Sequence, residues 1–449
     1  MQRLTGVQRL LLSSLIFGLF FGAGNLIFPV QLGRAAGAAS PLATLGFLIT
    51  AVGLPVAALV AAALSGSRSV ADVVAPVSRR YSIGFTVLLY LTIGPAFAIP
   101  RTATVSFEVG VRPLLPAASA RLGLLLFTVV FFGITGFVAM RPTRLLDSIG
   151  RYLTPTFLVL LAALVVGALV MPMSSELAEP TGAYASAPLT TGFLDGYSTM
   201  DALAGLAFAI VVVEALHRLG VQERGRVAAE IARAGLLGGI GIAVVYVSLV
   251  YVGATSVGAV PEADNGGVVL AAVSRHLFGV PGLMLIAGIV TVACLKTAIG
   301  LIVACSEMFV TLTGGRVGYR AWALGFTTVS AVVANAGLET LIAYSVPVLM
   351  LLYPLAIVAI AMGIASRWVG HKPYIHRGVT GLTGVAALFD LVKALPEPFA
   401  SRPWARVLVD FAASWLPGYN IGFGWLVPAV VGLVLGALLE RFGRPQLSR

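Results

Sequence analysis

The sequence predicts an all-α membrane protein of about twelve transmembrane helices, and three observations predict it. First, 59% of its 449 residues are hydrophobic and only 10% are charged, with a mean hydropathy of +0.99. A water-soluble globule needs roughly a quarter of its residues charged to cover its outside, so the solvent for most of this chain is lipid. One helical crossing of the hydrocarbon takes about 20 apolar residues, which allows on the order of twelve spans and leaves no room for a soluble domain. Second, Arg and Lys collect in alternate loops. Third, small and polar residues interrupt two of the apolar runs at membrane depth.

Read between Gly, Pro and charge clusters, the spans fall at 8–33, 41–64, 80–110, 121–140, 149–172 and 193–217, then at 226–256, 281–312, 319–335, 339–365, 377–395 and 421–440. The first superficially resembles a cleavable leader, with Arg3 and Arg9 early and the small residues from Ala35 to Ser40 after it. Its apolar run is longer than the usual 7 to about 15 residues of such signals and is broken at Gly22-Ala23-Gly24-Asn25, so a retained first helix is expected. The net charge of +11 forms no basic patch or arm of the kind that binds nucleic acid. Cys294 and Cys305 lie in one span, separated along its axis by roughly 16 Å, too far to pair.

Cytoplasmic loops carry the excess of Lys and Arg. Arg3 and Arg9 precede the first span, Arg68, Arg79 and Arg80 follow the second, Arg141, Arg144 and Arg151 the fourth, and Arg218, Arg224 and Arg226 the sixth. The alternation continues through Arg316 and Arg320, then Arg367, Lys372 and Arg377, then Arg441, Arg444 and Arg449. The intervening loops carry Glu176, Glu179, Glu262 and Asp264 with scattered arginines. Both termini are therefore expected in the cytoplasm. The stretch from Pro403 to Pro417, with Trp404 and Trp415, reads as an amphipathic helix on the outer interface.

Irregular backbone at membrane depth survives only where it lines a cavity. The first irregular segment runs from Phe20 to Pro29, with glycines at 22 and 24 and the amide of Asn25; close glycine packing between helices is the alternative explanation. The second, Gly196 to Gly205, adds the carboxylate of Asp201, and a solvated helix cap is its alternative. Five spans separate them, and an odd repeat of five helices inverts topology between halves. That organisation gives a first repeat over 1–172, a second over 193–365, and two additional spans with the interfacial helix over 377–449. Inverted-repeat transporters hold substrate and ions beside such paired breaks, where half-helix N-termini attract a carboxylate and free carbonyls hold a cation. An α-amino acid carries both charges.

At these residues the sequence resembles the bacterial branched-chain amino acid:cation symporter family (BrnQ-type carriers). The resemblance covers essentially the whole chain and rests on GAGNLIFP from Gly22, IGPAFAIPRTATVSFE from Ile93, MDALAGLAFAIVV from Met200, ACLKTAIGLI from Ala293 and SVPVLMLLYP from Ser345. It implies a five-plus-five inverted repeat like that of the sodium-coupled amino acid transporters (LeuT-like), a place in the bacterial inner membrane, and leucine, isoleucine and valine as small-molecule substrates. Carried over by position, main-chain N–H groups near Ala23, Gly24 and Asn25 would meet the carboxylate, carbonyls near Phe20, Phe21 and Ala202, Leu203, Ala204 and Gly205 the amine, and Gly22 belongs to the same substrate-binding stretch. The resemblance puts the coupling-cation site at Gly18, Phe21, Ala293, Lys296 and Thr297. Related carriers are similar there but have two hydroxyl residues helping to ligate sodium, where this chain has Lys296-Thr297. Either the lysine substitutes its charge for Na+, leaving a proton-coupled or sodium-independent carrier, or it points away and Na+ binding persists; no other cofactor is expected.

Ionisable groups inside a membrane are functional candidates by default. Arg101 and Glu108 share a face of span three about 10 Å apart, so each needs another partner; for Arg101 a brace to Asp201 stands beside a gating role. Glu108, Glu214 and Glu307 lie toward span ends, where loop pairing explains them. The four histidines sit in or beside loops and no catalytic constellation occurs at membrane depth, which argues against an enzyme. A channel, or a carrier of another apolar solute, are the remaining readings.

Overall fold

The computed structural model of the protein describes residues 4–22, 24–67, 69–140, 159, 161–163, 165–171, 173–174, 177–260, 263, 265–370 and 372–442. Ala23, most of the predicted fifth span, and the charges Arg3, Arg68, Arg141, Arg144, Arg151, Glu176, Glu262, Asp264, Arg444 and Arg449 lie outside the described residues. Among those described the structure is helical throughout, with no strand.

In chain order the principal helices are α1 (Gly6–Phe20), α2 (Gly24–Ala36), α3 (Ser40–Leu48), α4 (Leu54–Ser65), α5 (Arg79–Leu91), α6 (Ala98–Gly110) and α7 (Ala120–Ala139). They continue with α8 (Pro188–Asp195), α9 (Asp201–Arg218), α10 (Arg224–Thr255), α11 (Gly266–Leu312), α12 (Tyr319–Ala334), α13 (Leu338–Ile364), α14 (Pro373–Lys393), α15 (Pro403–Trp415) and α16 (Leu426–Phe442). Among the described residues, six continuous helical stretches are long and apolar enough to cross a membrane, and the bent pair formed by 188–199 and Asp201–Arg218 makes a seventh. Their outward faces are apolar, as a lipid solvent requires: α7 turns Leu122, Leu126, Val129, Val130 and Phe137 outward.

The interior is held by close approaches of backbone. A Cβ on Gly33 of α2 would lie 2.0 Å from the Val250 carbonyl oxygen of α10, and one on Gly253 of α10 would lie 2.0 Å from the carbonyl oxygen of Val30. Gly46 of α3 and Gly192 of α8 meet the Leu189 and Ala43 carbonyls in the same reciprocal way, at 1.9 and 2.0 Å. Lipid tails supply no hydrophobic drive between helices, so such small-residue contacts are what brings backbones together. The half-helices α2 and α8 are thereby fixed against α10 and α3. By contrast α1 carries exposed Val7, Leu10 and Leu11, and meets α10 through one looser, one-sided approach, a Cβ on Gly238 falling 2.8 Å from the Ser13 carbonyl oxygen, and through Arg9 Nε donating to Glu230 at 3.1 Å.

Several helices carry interruptions at breaker residues. In the third predicted span the ladder opens at Gly94, with φ −98 and ψ −128, beside Pro95, before α6 begins. Within α11 Gly279 adopts φ +66 two residues before Pro281, which separates a short leading arm from the long predicted span over 281–312. The amphipathic α15 buries Ala405 and Ala412 while Trp404, Val407, Phe411 and Trp415 line its exposed face.

Candidate functional site

The first predicted break is present. The ladder stops at Phe20, Phe21 is extended, and α2 begins at Gly24. Asn25 closes the gap from one side, its Oδ1 accepting from the Gly22 N–H at 2.8 Å. Its amide nitrogen reaches across to the other broken span, donating to Asp201 Oδ2 at 2.7 Å and to the Tyr246 hydroxyl of α10. Tyr246 in turn donates to the same Asp201 oxygen at 3.1 Å. All three side chains are buried, and an amide or carboxylate at that depth is stable only when so bonded.

The second break lies a little upstream of the expected carbonyls. After α8 the chain makes a 3-10 turn over Gly196–Thr199, passes through Met200 at φ +62, and restarts as α9 at Asp201, with a bend of 47° between the halves. A non-glycine residue in the left-handed region is strained and persists where the surroundings impose it; Met200 is 2% exposed. Ala202, Leu203, Ala204 and Gly205 are regular helix, so their carbonyls belong to the ladder, and what α9 turns toward the break is its N-terminal N–H groups. In the break itself the Ser198 carbonyl accepts from Arg101 Nη1 at 2.7 Å. The expectation of amine-binding carbonyls at 202–205 is corrected accordingly.

Arg101 is 4% exposed. Its guanidinium stands 4.9 Å over the ring of Phe28 on α2, and Nη2 lies 3.1 Å from where a Cβ on Gly24 would sit. The supposed brace to Asp201 is absent: the ion pairs among the described residues are Arg9–Glu230, Glu223–Arg226 and Glu230–Arg233. Arg101 thus joins α6 to both broken spans through a carbonyl and an aromatic face. Glu108 is remote from this group, its Cβ 3.4 Å from the position of a Cβ on Gly267 at the start of α11. Glu307 makes no ion pair among the described residues.

The residues expected to hold the cation come together between α1 and α11. Half-buried Lys296 brings its Nζ against α1, 3.5 Å from a Cβ built on Gly18. Thr297 lies beside the break, its Oγ1 at 3.5 Å from a Cβ on Gly22, and donates to the Ala293 carbonyl at 3.1 Å. Phe21 stacks on Phe17, the ring centroids 5.2 Å apart. Between the breaks is a cavity of about 50 Å³ lined by Phe20, Gly24, Arg101, Asp201, Phe208 and Thr297 among others. That is room for a few water molecules.

Sequence reasoning passed over Tyr246, and it included Phe28 and Met200 in the two irregular segments without giving either a role. A phenol inside an apolar helix needs a hydroxyl partner and was a readable signal for Tyr246. The opening at Gly94 was also readable from Gly94-Pro95. There a Cβ would lie 2.8 Å from Cys305 Sγ, and the Cys305 thiol donates to the Tyr90 carbonyl at 3.5 Å.

Comparison with known proteins gives consistent results. Residues 6–443 match the family described as branched-chain amino acid transport protein. Over 432 residues the chain is 45% identical to the branched-chain amino acid permease BrnQ of Lactobacillus delbrueckii subsp. lactis, covering 96% of each chain. It is 40% identical over 438 residues to the permease BraB of Bacillus subtilis, covering 97% of this chain and 96% of that one. Among solved structures it is similar to a nucleobase-cation-symport family transporter in a closed conformation with bromovinylhydantoin bound. The TM-score is 0.61 at 14% identity, over 98% of this chain and 94% of that one.

Proposed function

Because the chain belongs to the branched-chain amino acid transport protein family, a family of transporters and not of enzymes, we propose that it is a secondary carrier that brings leucine, isoleucine and valine into a bacterial cell with a cation. The observation that carries this reading is the meeting of two interrupted helices, at Phe21–Gly22 and at Gly196–Met200, across the Asn25–Asp201 hydrogen bond. Unladdered backbone at membrane depth, drawn from two spans, is what a midplane site for a zwitterion needs.

The finer reading is a twelve-span, LeuT-like molecule with inverted repeats over 1–172 and 193–365 and two further spans over 377–449, lying in the inner membrane with both termini cytoplasmic. Helices on or close to the predicted spans among the described residues, and the fold likeness to a cation-symport transporter, support it. Gly18, Phe21, Ala293, Lys296 and Thr297 form the cation site in this reading, and Lys296 substitutes its own charge for Na+. The approach of its Nζ to Gly18 supports that assignment.

Purified protein in proteoliposomes tests both parts. Uptake of labelled leucine should be competed by isoleucine and valine and be indifferent to a panel of nucleobases and polar amino acids; competition by a nucleobase alone would remove the substrate assignment. An imposed proton gradient should drive uptake where a sodium gradient does not. Strict sodium dependence removes the lysine hypothesis, and if it stands Lys296→Thr should create a sodium requirement.

A further inference from the structure

Two buried charges of opposite sign face the cavity between the broken spans without meeting. Arg101 and Asp201 are each 4% exposed and both line the cavity, yet they are absent from the ion pairs within 4 Å among the described residues. Removing a charge from water costs several kcal/mol unless an opposite charge is supplied. Here each is held back from the other by neutral partners. Arg101 is fixed by the Ser198 carbonyl and the Phe28 ring. Asp201 is fixed by Asn25 and Tyr246, which both bond the one oxygen Oδ2.

Each group lines the cavity and offers more bonding positions than the partners just named occupy. A guanidinium has five N–H donors in a planar fork, and Arg101 uses Nη1 on Ser198. Its Nη2 lies beside Gly24, the first residue of α2, where the helix N-terminus adds its own unpaired N–H groups and partial positive charge. Oδ1 of Asp201 is bonded by neither Asn25 nor Tyr246. Thr199 also hydrogen-bonds the Asp201 side chain; the result is a positive pole with planar donors and a negative pole made by a carboxylate, separated within one small space.

We propose that the two poles are the direct recognition elements for the head group of an α-amino acid: the Arg101 fork, with the α2 N-terminus, takes the substrate carboxylate, and Asp201 takes the substrate ammonium. Arginine is suited to the first role because it can give a carboxylate two parallel hydrogen bonds. Asn25 and Tyr246 are positioning residues that aim Asp201. This replaces main-chain dipoles alone with a charge-paired site, and it rests on the reading that the cargo is an amino acid.

The test is a ratio of affinities, measured by displacement of labelled leucine from purified protein in nanodiscs. The competitors are leucinamide, which lacks the carboxylate, and 4-methylpentanoate, which lacks the ammonium. A site whose buried polar groups need both partners rejects each analogue strongly, so wild-type protein should prefer leucine by about 100-fold or more. Arg101→Gln should bring the leucine-to-leucinamide ratio to within about threefold while leaving rejection of 4-methylpentanoate in place. Asp201→Asn should do the reverse. If Arg101 serves only to hold Ser198, and Asp201 only to tie α2 to α9, all affinities will fall together with ratios unchanged, and the proposal is overturned. Should these variants fail to fold, the wild-type protein still decides, since equal binding of leucine and either analogue is incompatible with the clamp. A preferred cargo lacking either charge would sink the transport reading and this proposal together; a zwitterionic cargo with unchanged ratios would sink the proposal alone.

Discussion

Glycines that look alike in the sequence carry different tasks, and the atoms they face separate them. At Gly33 an added Cβ would sit 2.0 Å from the Val250 backbone oxygen, which cannot yield without moving α10. At Gly24 it would sit 3.1 Å from Arg101 Nη2, the far end of a flexible side chain. Gly33→Ala should therefore cost about 1 to 3 kcal/mol or more through overpacking, read as loss of folded protein in detergent and a lower melting midpoint. Gly24→Ala should leave the midpoint nearly unchanged and weaken leucine binding about tenfold by displacing the guanidinium, a shift of about 1.4 kcal/mol. Equal melting losses in the two variants would refute the distinction. Reading the residues in the sequence had already isolated Gly24, Asn25, Arg101 and Asp201, since glycines beside an amide and charges in apolar runs are conspicuous. It could not assign partners: Ser198 O and Phe28 reach Arg101 only through packing of three helices distant in the chain.

Among the helices, the two broken spans are held unequally. Reciprocal glycine contacts fix α2 against α10 and α8 against α3. The half-helix α1 has one cationic anchor on α10, Arg9 with its two bonds to Glu230, which is shared with Arg233. Glu230 is buried, so removing Arg9 leaves a carboxylate with weakened compensation, a costly state. Arg9→Ala should raise amide hydrogen exchange in residues 6–20 by about tenfold, since each 1.4 kcal/mol of lost anchoring is a factor of ten, while exchange in 24–36 stays as it was. A uniform rise across both segments would show that span one moves as a single body. Breaks were legible here in proportion to their chemistry. Span one announces itself by Gly22 and Gly24, and the opening at Gly94 was visible but merged into one long apolar run. The position of the span-six break was set five residues late at its far end because Met200, an ordinary helix former, takes the left-handed backbone that sequence preference assigns to glycine.

For the molecule as a whole, the class of fold was nearly dictated by composition. A chain with so few charges must meet lipid with helices, and the helices begin and end close to the Gly, Pro and Arg clusters that marked them. The closure of the site was not legible, because the volume between helices depends on side-chain packing and not on periodicity. The cavity of about 50 Å³ holds a few waters, whereas leucine is several times larger than a water molecule. Admission of substrate therefore requires α1, α2, α8 and α9 to separate on one side and close again, a collective motion of microseconds to milliseconds. A carrier cycling in this way moves labelled and unlabelled substrate through one shared site, so proteoliposomes preloaded with unlabelled leucine and given no ion gradient should transiently accumulate labelled leucine above its equilibrium level. An open pore of the channel type would let label rise smoothly to equilibrium without overshoot. At a fixed leucine concentration the overshoot should shrink in Arg101→Gln in step with its weakened leucine binding, and persist in Lys296→Thr, because counterflow needs the substrate site and the conformational cycle but no imposed cation gradient.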